Sequence, residues 1–378
     1  MRGDRPRRVL VVGQSVRPIA LSAVRAGHAV FAADCYSDLD LVESVSRSVH
    51  LDWDPERPEA LPRKARPVIE AAIDAGSIDC LVLGPGAEGM KVDGVRVLNN
   101  PPEKFAEVSD KLRLARWLEE EGFAAVPTWR VGDAPTADLP LMVKPRRGAG
   151  GGENRLVYTE EELALLEGDL IVQEFVRGTP ASVSVIADGE RAVAISANEQ
   201  LIGTRWLGGG GFRYCGNISP LEAPGAGSAS AAMMRTAEEI ASRLQLVGSN
   251  GVDFILSASG PLVLEVNPRF QGSLDAVEIS TGLNLFQAHL LSFDGVLPKR
   301  PQLRRSGGRG VLYAEDGLKI DGDLRAVNRW IADVPRPGSS LKRGDPVTSI
   351  LSSARDRDGA LALLRRRSSS IRRALRGL

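Results

Sequence analysis

The sequence predicts a chain of mixed α/β and α+β class: a parallel α/β unit, then a small α+β unit, then a larger antiparallel sheet. Three observations carry this expectation. Strand-like and helix-like segments alternate through roughly the first hundred residues; Asp188-Gly189 joins two β-prone runs; and two apolar runs, "GVDFIL" and "LVLEVNP", flank a short turn of small residues.

The first unit opens with "RRVLVVGQSVRPIALSAVRAGHAVFAADCY". Val11 and Val12 end a strand, Gly13 begins a tight turn, a helical stretch stops at Gly27, and "AVFAAD" reads as a second strand. "DCLVLGPG" and "RVLNN" supply a third and a fourth. Asp34 stands about 20 residues beyond Gly13, where a ribose-binding acid of a dinucleotide site would sit, but "GQSVRP" lacks the second and third glycines of that fingerprint. A structural turn or a small-molecule pocket is the reading preferred over nicotinamide or flavin binding.

In "SDKLRLARWLEEEGF" Ser109 is the expected N-cap and Gly122 the stop of one amphipathic helix. "LPLMVKP", a glycine run, "RLVY", the acidic helix "TEEELALLEG" and "LIVQEFV" follow as a small α+β unit. The Asp188-Gly189 hairpin, a glycine-rich loop "LGGGGFRYCGNISP", a helix near Ala229 to Leu246 and a second hairpin make the next unit. From about Arg309 the chain is turn-rich and β-like, and it ends on "LLRRRSSSIRRALRGL", read as a solvated terminal helix or frayed tail.

Lys+Arg and Asp+Glu number 48 each, so net charge gives no reason to expect nucleic acid or an anionic membrane. No apolar run approaches the roughly 20 residues of a bilayer span, and the basic N-terminus runs into a strand and not into a signal-peptide core. A cytoplasmic protein is expected. Cys35, Cys80 and Cys215 are odd in number and far apart, and His28, His50 and His289 lack metal-ligand spacing. Cys215 has no histidine within its segment to activate it and reads as a spectator thiol. Trp129 and Trp206 read as packing residues.

Two stretches carry chemistry. In "MVKPRRGAGGGENRLV" the glycines lead into a strand, which fits neither a P-loop nor a Rossmann loop, since both open a helix. A hairpin of glycines leaves backbone N–H groups free to turn toward an anion, and Lys144 just before it, with Arg146 and Arg147, supplies positive charge. In the second hairpin, side-chain alternation puts Glu265 and Asn267 on one face and Leu264 and Val266 on the other. If the "SASG" turn pairs Leu256 with Leu262, Asp253 lies across from Glu265 on that same face. Two carboxylates and an amide oxygen converging there are hard ligands suited to Mg²⁺. Arg269 points the same way if the strand continues through Pro268.

With Lys144, the glycine loop, "QEFV" and "DFIL…LEVNPR" in this order, the chain resembles the ATP-grasp superfamily, and most nearly a branch of predicted ATP-dependent carboligases related to biotin carboxylase. The resemblance implies an ATP-grasp fold: a Rossmann-like pre-ATP-grasp domain over 1–108, a lid subdomain with linker helix over 109–178, a central antiparallel catalytic subdomain over 179–308, and a β-rich extension with basic tail over 309–378. It implies ATP and Mg²⁺ (or Mn²⁺) as cofactors. Lys111 and Lys144 match the phosphate-contacting lysines, and Gly148, Gly150, Gly151 and Gly152 the loop closing over them. Gln173, Glu174 and Val176 match the adenine-binding linker, with Phe175 packing beside it. Asp253, Glu265 and Asn267 match the metal ligands, and Lys144 and Arg269 the catalytic cations. "RGTPAS" departs from the pattern, because Pro180 stands near the position of a ribose-binding glutamate.

The activity so implied is that of an ATP-dependent carboxylate–amine ligase working through an acylphosphate on small-molecule substrates, with a homodimer allowed. Glutamate-like ligation in biosynthesis of a one-carbon carrier is associated with the branch. Candidate substrate contacts are Glu199 and Gln200 in "NEQLIG" and Arg213 and Tyr214 in the glycine-rich loop. Two rivals remain. A biotin-carboxylase-like bicarbonate activator would need a base where this chain has Ser273, and "EGMKV" around Lys91 only faintly resembles a biotin attachment site. A non-catalytic ATP-binding protein would keep the fold without turnover.

Overall fold

The structure, a computed structural model, describes residues 5–52, 57–135, 139–148, 150–222 and 227–376. Ala149, within the glycine loop, and Gly377 and Leu378 of the tail lie outside them.

Val9 to Val12 are buried on both sides, as the middle strand of a parallel sheet requires. The strand order is Arg47–His50, Ala29–Asp34, Arg8–Val12, Cys80–Leu83, Arg96–Val97, all parallel. "RVLNN" thus contributes only two strand residues. The helix Arg17–Arg25 carries Pro18 in its first turn and is followed by Gly27 at φ +87°, a left-handed position that favours glycine.

The linker helix runs Lys111–Glu120. Its N-cap is Asp110, whose carboxylate accepts from the Arg113 N–H at 3.2 Å, and not Ser109, which caps the C-terminus of the preceding helix Pro102–Val108. Both residues are good caps, and the aspartate wins because Arg146 and Arg147 also bind it, at 2.7 and 3.1 Å. Gly122, at φ +75°, ends the helix as expected. A four-stranded antiparallel sheet follows in the order Thr128–Arg130, Leu170–Glu174, Leu141–Pro145, Arg155–Val157, packed on Leu163 of the helix Glu160–Ala164.

The largest layer is an eight-stranded antiparallel sheet in the order Gly260–Asn267, Val247–Ser257, Thr179–Asp188, Ala192–Ile202, Tyr214–Ser219, Ser306–Tyr313, Pro346–Ala354, Ile331–Ala332. Strands from the C-terminal extension therefore continue the central sheet. The helix Gly227–Arg243 covers one face, packing Met233, Ala237 and Ile240 against Val183, Val185 and Phe254. The basic tail is a packed helix, Arg357–Arg376, and not a frayed or wholly solvated one. Ala360, Leu364 and Ile371 form a buried stripe at helical spacing, and Arg367 stacks on Trp330 with its guanidinium 4.5 Å from the ring centre. Among the described residues no helix is long and apolar enough to cross a membrane.

The parallel unit is locked to the eight-stranded sheet and its flanking segments by one buried charge network. Arg17, 2% exposed, makes a bidentate pair with Asp275 at 3.0 and 2.7 Å and donates to Asp333 at 2.8 Å; Arg309 binds the other Asp333 oxygen at 2.8 Å. Burial opposes every one of these charges, and the two arginines hold the Asp333 carboxyl far below the usual carboxylate range despite it.

Candidate active site

A cavity of about 1300 Å³ opens between the three layers. That exceeds the roughly 300–1,000 Å³ of a site for one small molecule, so a nucleotide and a second substrate fit together.

Its floor is the carboxylate hairpin. The turn is one residue tighter than expected, pairing Leu256 with Pro261 and Phe254 with Val263, and a β-bulge at Leu264 then restores the pairing of Asp253 with Glu265. Without that extra residue Asp253 would lie opposite Leu264 and the acids would part. The bulge also turns Leu264 onto the cavity while Val263 and Val266 face the core, which corrects the expectation that Leu264 and Val266 share a face. Asp253 accepts from Gln200 Nε2 at 3.1 Å and from Asn267 Nδ2 at 3.2 Å. Burial first, and then the charge of Glu265, push the Asp253 carboxyl well up; burial acts likewise on Glu265, but Lys111 and Lys144 outweigh it and hold that carboxyl down. Among the described residues no group of three or more His, Cys, Asp and Glu could hold a metal unaided. Two acids plus an amide are instead the donor set of an ion that shares its shell with phosphate oxygens, and they fit Mg²⁺.

The cations lie above. Lys111 Nζ is 3.8 Å from Glu265 and donates to the Gly148 carbonyl at 2.8 Å. Lys144 Nζ donates to Gln173 Oε1 at 2.7 Å; Gln173 in turn donates to Thr128 Oγ1 at 2.9 Å, so the amide is fixed and aims the ammonium. Burial lowers the Lys144 pKa, with Glu265 opposing.

The glycine loop roofs the cavity and rests on the second glycine-rich loop. Tyr214 N–H donates to the Gly150 carbonyl at 3.1 Å, and Gly151, at φ +68°, lies so close to Phe212 that a Cβ there would come within 2.3 Å of its carbonyl oxygen. The ring of Phe175 meets Phe212 edge to face at 6.3 Å. Gly148, Gly150, Gly151, Gly152, Gln173, Glu174, Phe175, Val176, Gln200 and Tyr214 all line the cavity with Lys111, Lys144, Asp253, Glu265, Asn267 and Arg269.

Glu199 and Arg213 do not, and both expectations are corrected. Strand alternation sends Glu199 to the face opposite Gln200, where Arg357 grips it at 2.6 and 2.8 Å. Arg213 stacks on Tyr313 and donates to the Gly344 carbonyl at 2.8 Å. Asp34 is fully buried and accepts from the Ser37 N–H at 2.9 Å, outside the cavity lining. Ser273 lines the cavity and pairs with the Ser184 hydroxyl at 3.1 Å.

The sequence reading missed the far wall: Gln14, Ser15, Tyr36 and Asp38 from the first unit, and Arg309, Asp333 and Arg336 from the last. It also missed Glu88, which pairs with Arg269 at 3.3 Å. The motif "DCYSDLD" was the available signal, an acid-rich segment at the C-terminal edge of a parallel strand, where ligands of such sheets gather.

A glycine roof, fixed lysines and paired acids on a central antiparallel sheet, beside a parallel α/β unit, define the ATP-grasp fold. Residues 108–273 match the ATP-grasp domain family ATP-grasp_3, and the chain carries that domain. Its members are ATP-dependent ligases forming carbon–nitrogen bonds, the enzyme class expected from the sequence. The chain is 24% identical over 366 residues to an uncharacterized protein of Methanocaldococcus jannaschii, covering 91% of this chain and 88% of that one. It is 25% identical over 253 residues, 64% of each chain, to the 3-methyl-D-ornithine–L-lysine ligase of Methanosarcina mazei. Among solved structures it is similar to the biotin carboxylase domain dimer of Hydrogenobacter thermophilus 2-oxoglutarate carboxylase in complex with MgADP and bicarbonate, with a TM-score of 0.71 and 16% identity over 92% of this chain and 86% of that one.

Proposed function

We propose that this protein joins a small-molecule carboxylate to an amine at the expense of ATP, through an acylphosphate. The pairing of Asp253 with Glu265 beneath Lys111 and Lys144 carries the reading, because it concentrates cation-binding oxygens where a triphosphate roofed by Gly148–Gly152 would lie.

Bound Mg²⁺, held by Asp253, Glu265 and Asn267, would neutralise phosphate charge and orient the γ-phosphoryl group. The chain's own groups do the rest. Lys144, fixed by Gln173, and Lys111 add positive charge at the phosphates, and the backbone N–H groups of the glycine loop donate from above. The strand end at Gln173 to Val176 offers backbone groups to adenine, with Phe175 alongside. Arg269, steadied by Glu88, stabilises negative charge spreading onto the transferred phosphoryl oxygens. Contact between the glycine loop and the Phe212–Tyr214 segment excludes water, which protects a reactive acylphosphate until the amine displaces phosphate.

Ser273, hydrogen-bonded to Ser184 in place of a proton acceptor, supports the ligase over a bicarbonate activator. The domain division at 108/109, 178/179 and 308/309 and a homodimer belong to the same proposal, as does glutamate-like ligation in one-carbon carrier biosynthesis, which rests on the branch resemblance alone. The test is a screen of carboxylate and amine pairs for ADP release. Release requiring both partners supports the reading, and ADP release stimulated by bicarbonate alone, or none with any pair, overturns it.

A further inference from the structure

Asp38 is the acid of the cavity wall that the proposed chemistry leaves without a task. It is 6% exposed and lines the cavity, yet its carboxylate has no hydrogen bond or ion pair among the described residues. Three other acids around it are engaged, Asp275 and Asp333 by Arg17, and Asp40 by the N–H groups of Asp333 and Val334 at 3.1 and 2.9 Å; Asp34 accepts from the Ser37 N–H through one oxygen and lies outside the cavity lining. A buried, unpaired carboxylate costs several kcal/mol unless something compensates it. Burial, and then the charges of Asp333, Asp40 and Asp34, all push the Asp38 carboxyl up, and Arg17, which opposes them, directs its hydrogen bonds to Asp275 and Asp333.

The backbone presenting Asp38 is itself held in a costly conformation. Ser37 stands at φ +51°, unusual for a residue with a side chain, and is pinned by Asp34 at its N–H, by His50 at its hydroxyl (3.2 Å) and by Arg336 Nε at its carbonyl (2.7 Å). The Leu39 N–H donates to the Val334 carbonyl at 2.8 Å, so the loop is clamped to the last unit as well. Rigid support of a buried, unpartnered acid facing a cavity is what a site for a cationic ligand requires, since such a ligand supplies the counter-charge that the protein withholds.

We infer that Asp38 is the counter-charge for a protonated, non-reacting amine of the substrate, and that this ligase therefore acts on amino acids or diamines. The inference deepens the ligase reading and rests on it. An ammonium paired with a buried carboxylate keeps its proton and offers no lone pair, so the amine at Asp38 is an anchor and another group of the same molecule reacts. Tyr36 and Gln14, which line the same wall, flank the anchored group.

The test is calorimetry in the presence of Mg²⁺ and the non-hydrolysable analogue AMP-PNP, on pairs in which hydroxyl replaces amine: L-lysine against 6-hydroxy-L-norleucine and 6-aminohexanoate against 6-hydroxyhexanoate at the terminal amine, L-alanine against L-lactate at the α-amine, and putrescine against 1,4-butanediol at both. At least one amine-bearing member is expected to bind about tenfold or more tightly than its hydroxyl counterpart. In Asp38→Asn that preference vanishes, AMP-PNP affinity holds, and the melting temperature stays level or rises. No cationic preference in the wild type, a preference that survives in Asp38→Asn, or a lower melting temperature for Asp38→Asn, as a purely structural carboxylate would give, overturns the inference. The ligase reading fails by a different signal, the absence of ADP release with ATP.

Discussion

Glu88 Oε1 lies 3.3 Å from Arg269 Nε, an ion pair that reaches from the parallel unit to the residue just past the carboxylate hairpin. Glu88 is 6% exposed, and its other oxygen accepts from the Gly86 N–H at 2.7 Å, so its place is fixed. The guanidinium also donates to the Phe270 carbonyl at 3.0 Å and to Asn267 Oδ1 at 3.4 Å.

This makes Glu88 a positioning residue for Arg269. Glu88→Gln keeps a hydrogen-bond acceptor and removes the charge. We expect kcat to fall by about tenfold with KM for ATP unchanged, whereas Arg269→Ala, which removes the group that meets transition-state charge, costs on the order of 10²–10³. Steady-state rates of ADP release decide it. An equal rise in KM for ATP in both variants would show that Arg269 acts in ground-state binding instead.

Lys144 and Gln173 form a second such couple. With Gln173 donating to Thr128 and accepting from Lys144, loss of the amide frees the ammonium from its direction without removing its charge. Lys144→Met is expected to lower kcat/KM for ATP by about 10², and Gln173→Ala by a smaller factor, near tenfold. Wild-type kcat/KM in Lys144→Met would remove this lysine from the phosphate site.

How much of this was legible in the sequence follows from how local each signal is. The parallel unit was readable because Val9 to Val12 are apolar on both faces, and the Asp188-Gly189 hairpin because its turn chemistry is local. The pairing of Asp253 with Glu265 was readable in outcome but not in path, since the tight turn and the bulge at Leu264 cancel. The tail misled by composition: its arginines obscured Ala360, Leu364 and Ile371, whose spacing is helical and one-sided. Asp38 was legible only as one acid of "DCYSDLD" and not as a buried one, because its burial is made by the segment around Asp333 to Arg336, nearly three hundred residues later.

His289 gives a prediction about stability alone. It is buried among Phe270, Phe286 and Phe293, with Nδ1 receiving the Ser249 N–H at 2.8 Å and Nε2 meeting the Leu98 carbonyl at 3.1 Å, which fixes the neutral ring with its proton on Nε2. Burial drops its pKa to about 3. The unfolded chain binds a proton near pH 6.5 and the folded one does not, so this contribution is complete above pH 6.5 and is lost as pH falls toward 3. Between pH 6.5 and 5 the loss is about 2 kcal/mol. Urea unfolding at the two pH values should show it, and His289→Gln should flatten the difference. A wild-type stability that does not change between them would contradict the buried neutral ring.

The paired acids set activity against stability. Asp253 and Glu265 are held together by the bulge although burial and mutual repulsion disfavour two charges there. Asp253→Asn relieves that repulsion while keeping the shape; its one remaining oxygen accepts from Gln200 or Asn267, and the other of these amides must turn its own oxygen toward the new NH2 group. Without nucleotide, its melting temperature should therefore equal or exceed that of the wild type, and the same holds more weakly for Glu265→Gln, whose charge Lys111 and Lys144 already compensate. With Mg²⁺ and ADP the order reverses. Ligand binding stabilises by an amount that grows with concentration over Kd, so the wild type gains about 2.7 kcal/mol at a hundredfold excess. Asp253→Asn, lacking one hard ligand, should gain little from Mg²⁺ beyond what ADP gives alone, and chelation of Mg²⁺ by EDTA should remove the wild type's Mg²⁺ increment and restore the metal-free order of the two proteins. Thermal unfolding with ADP, with ADP and Mg²⁺, and with EDTA added distinguishes the cases. A wild-type Mg²⁺ increment in Asp253→Asn would mean that the ion, if bound, is held elsewhere.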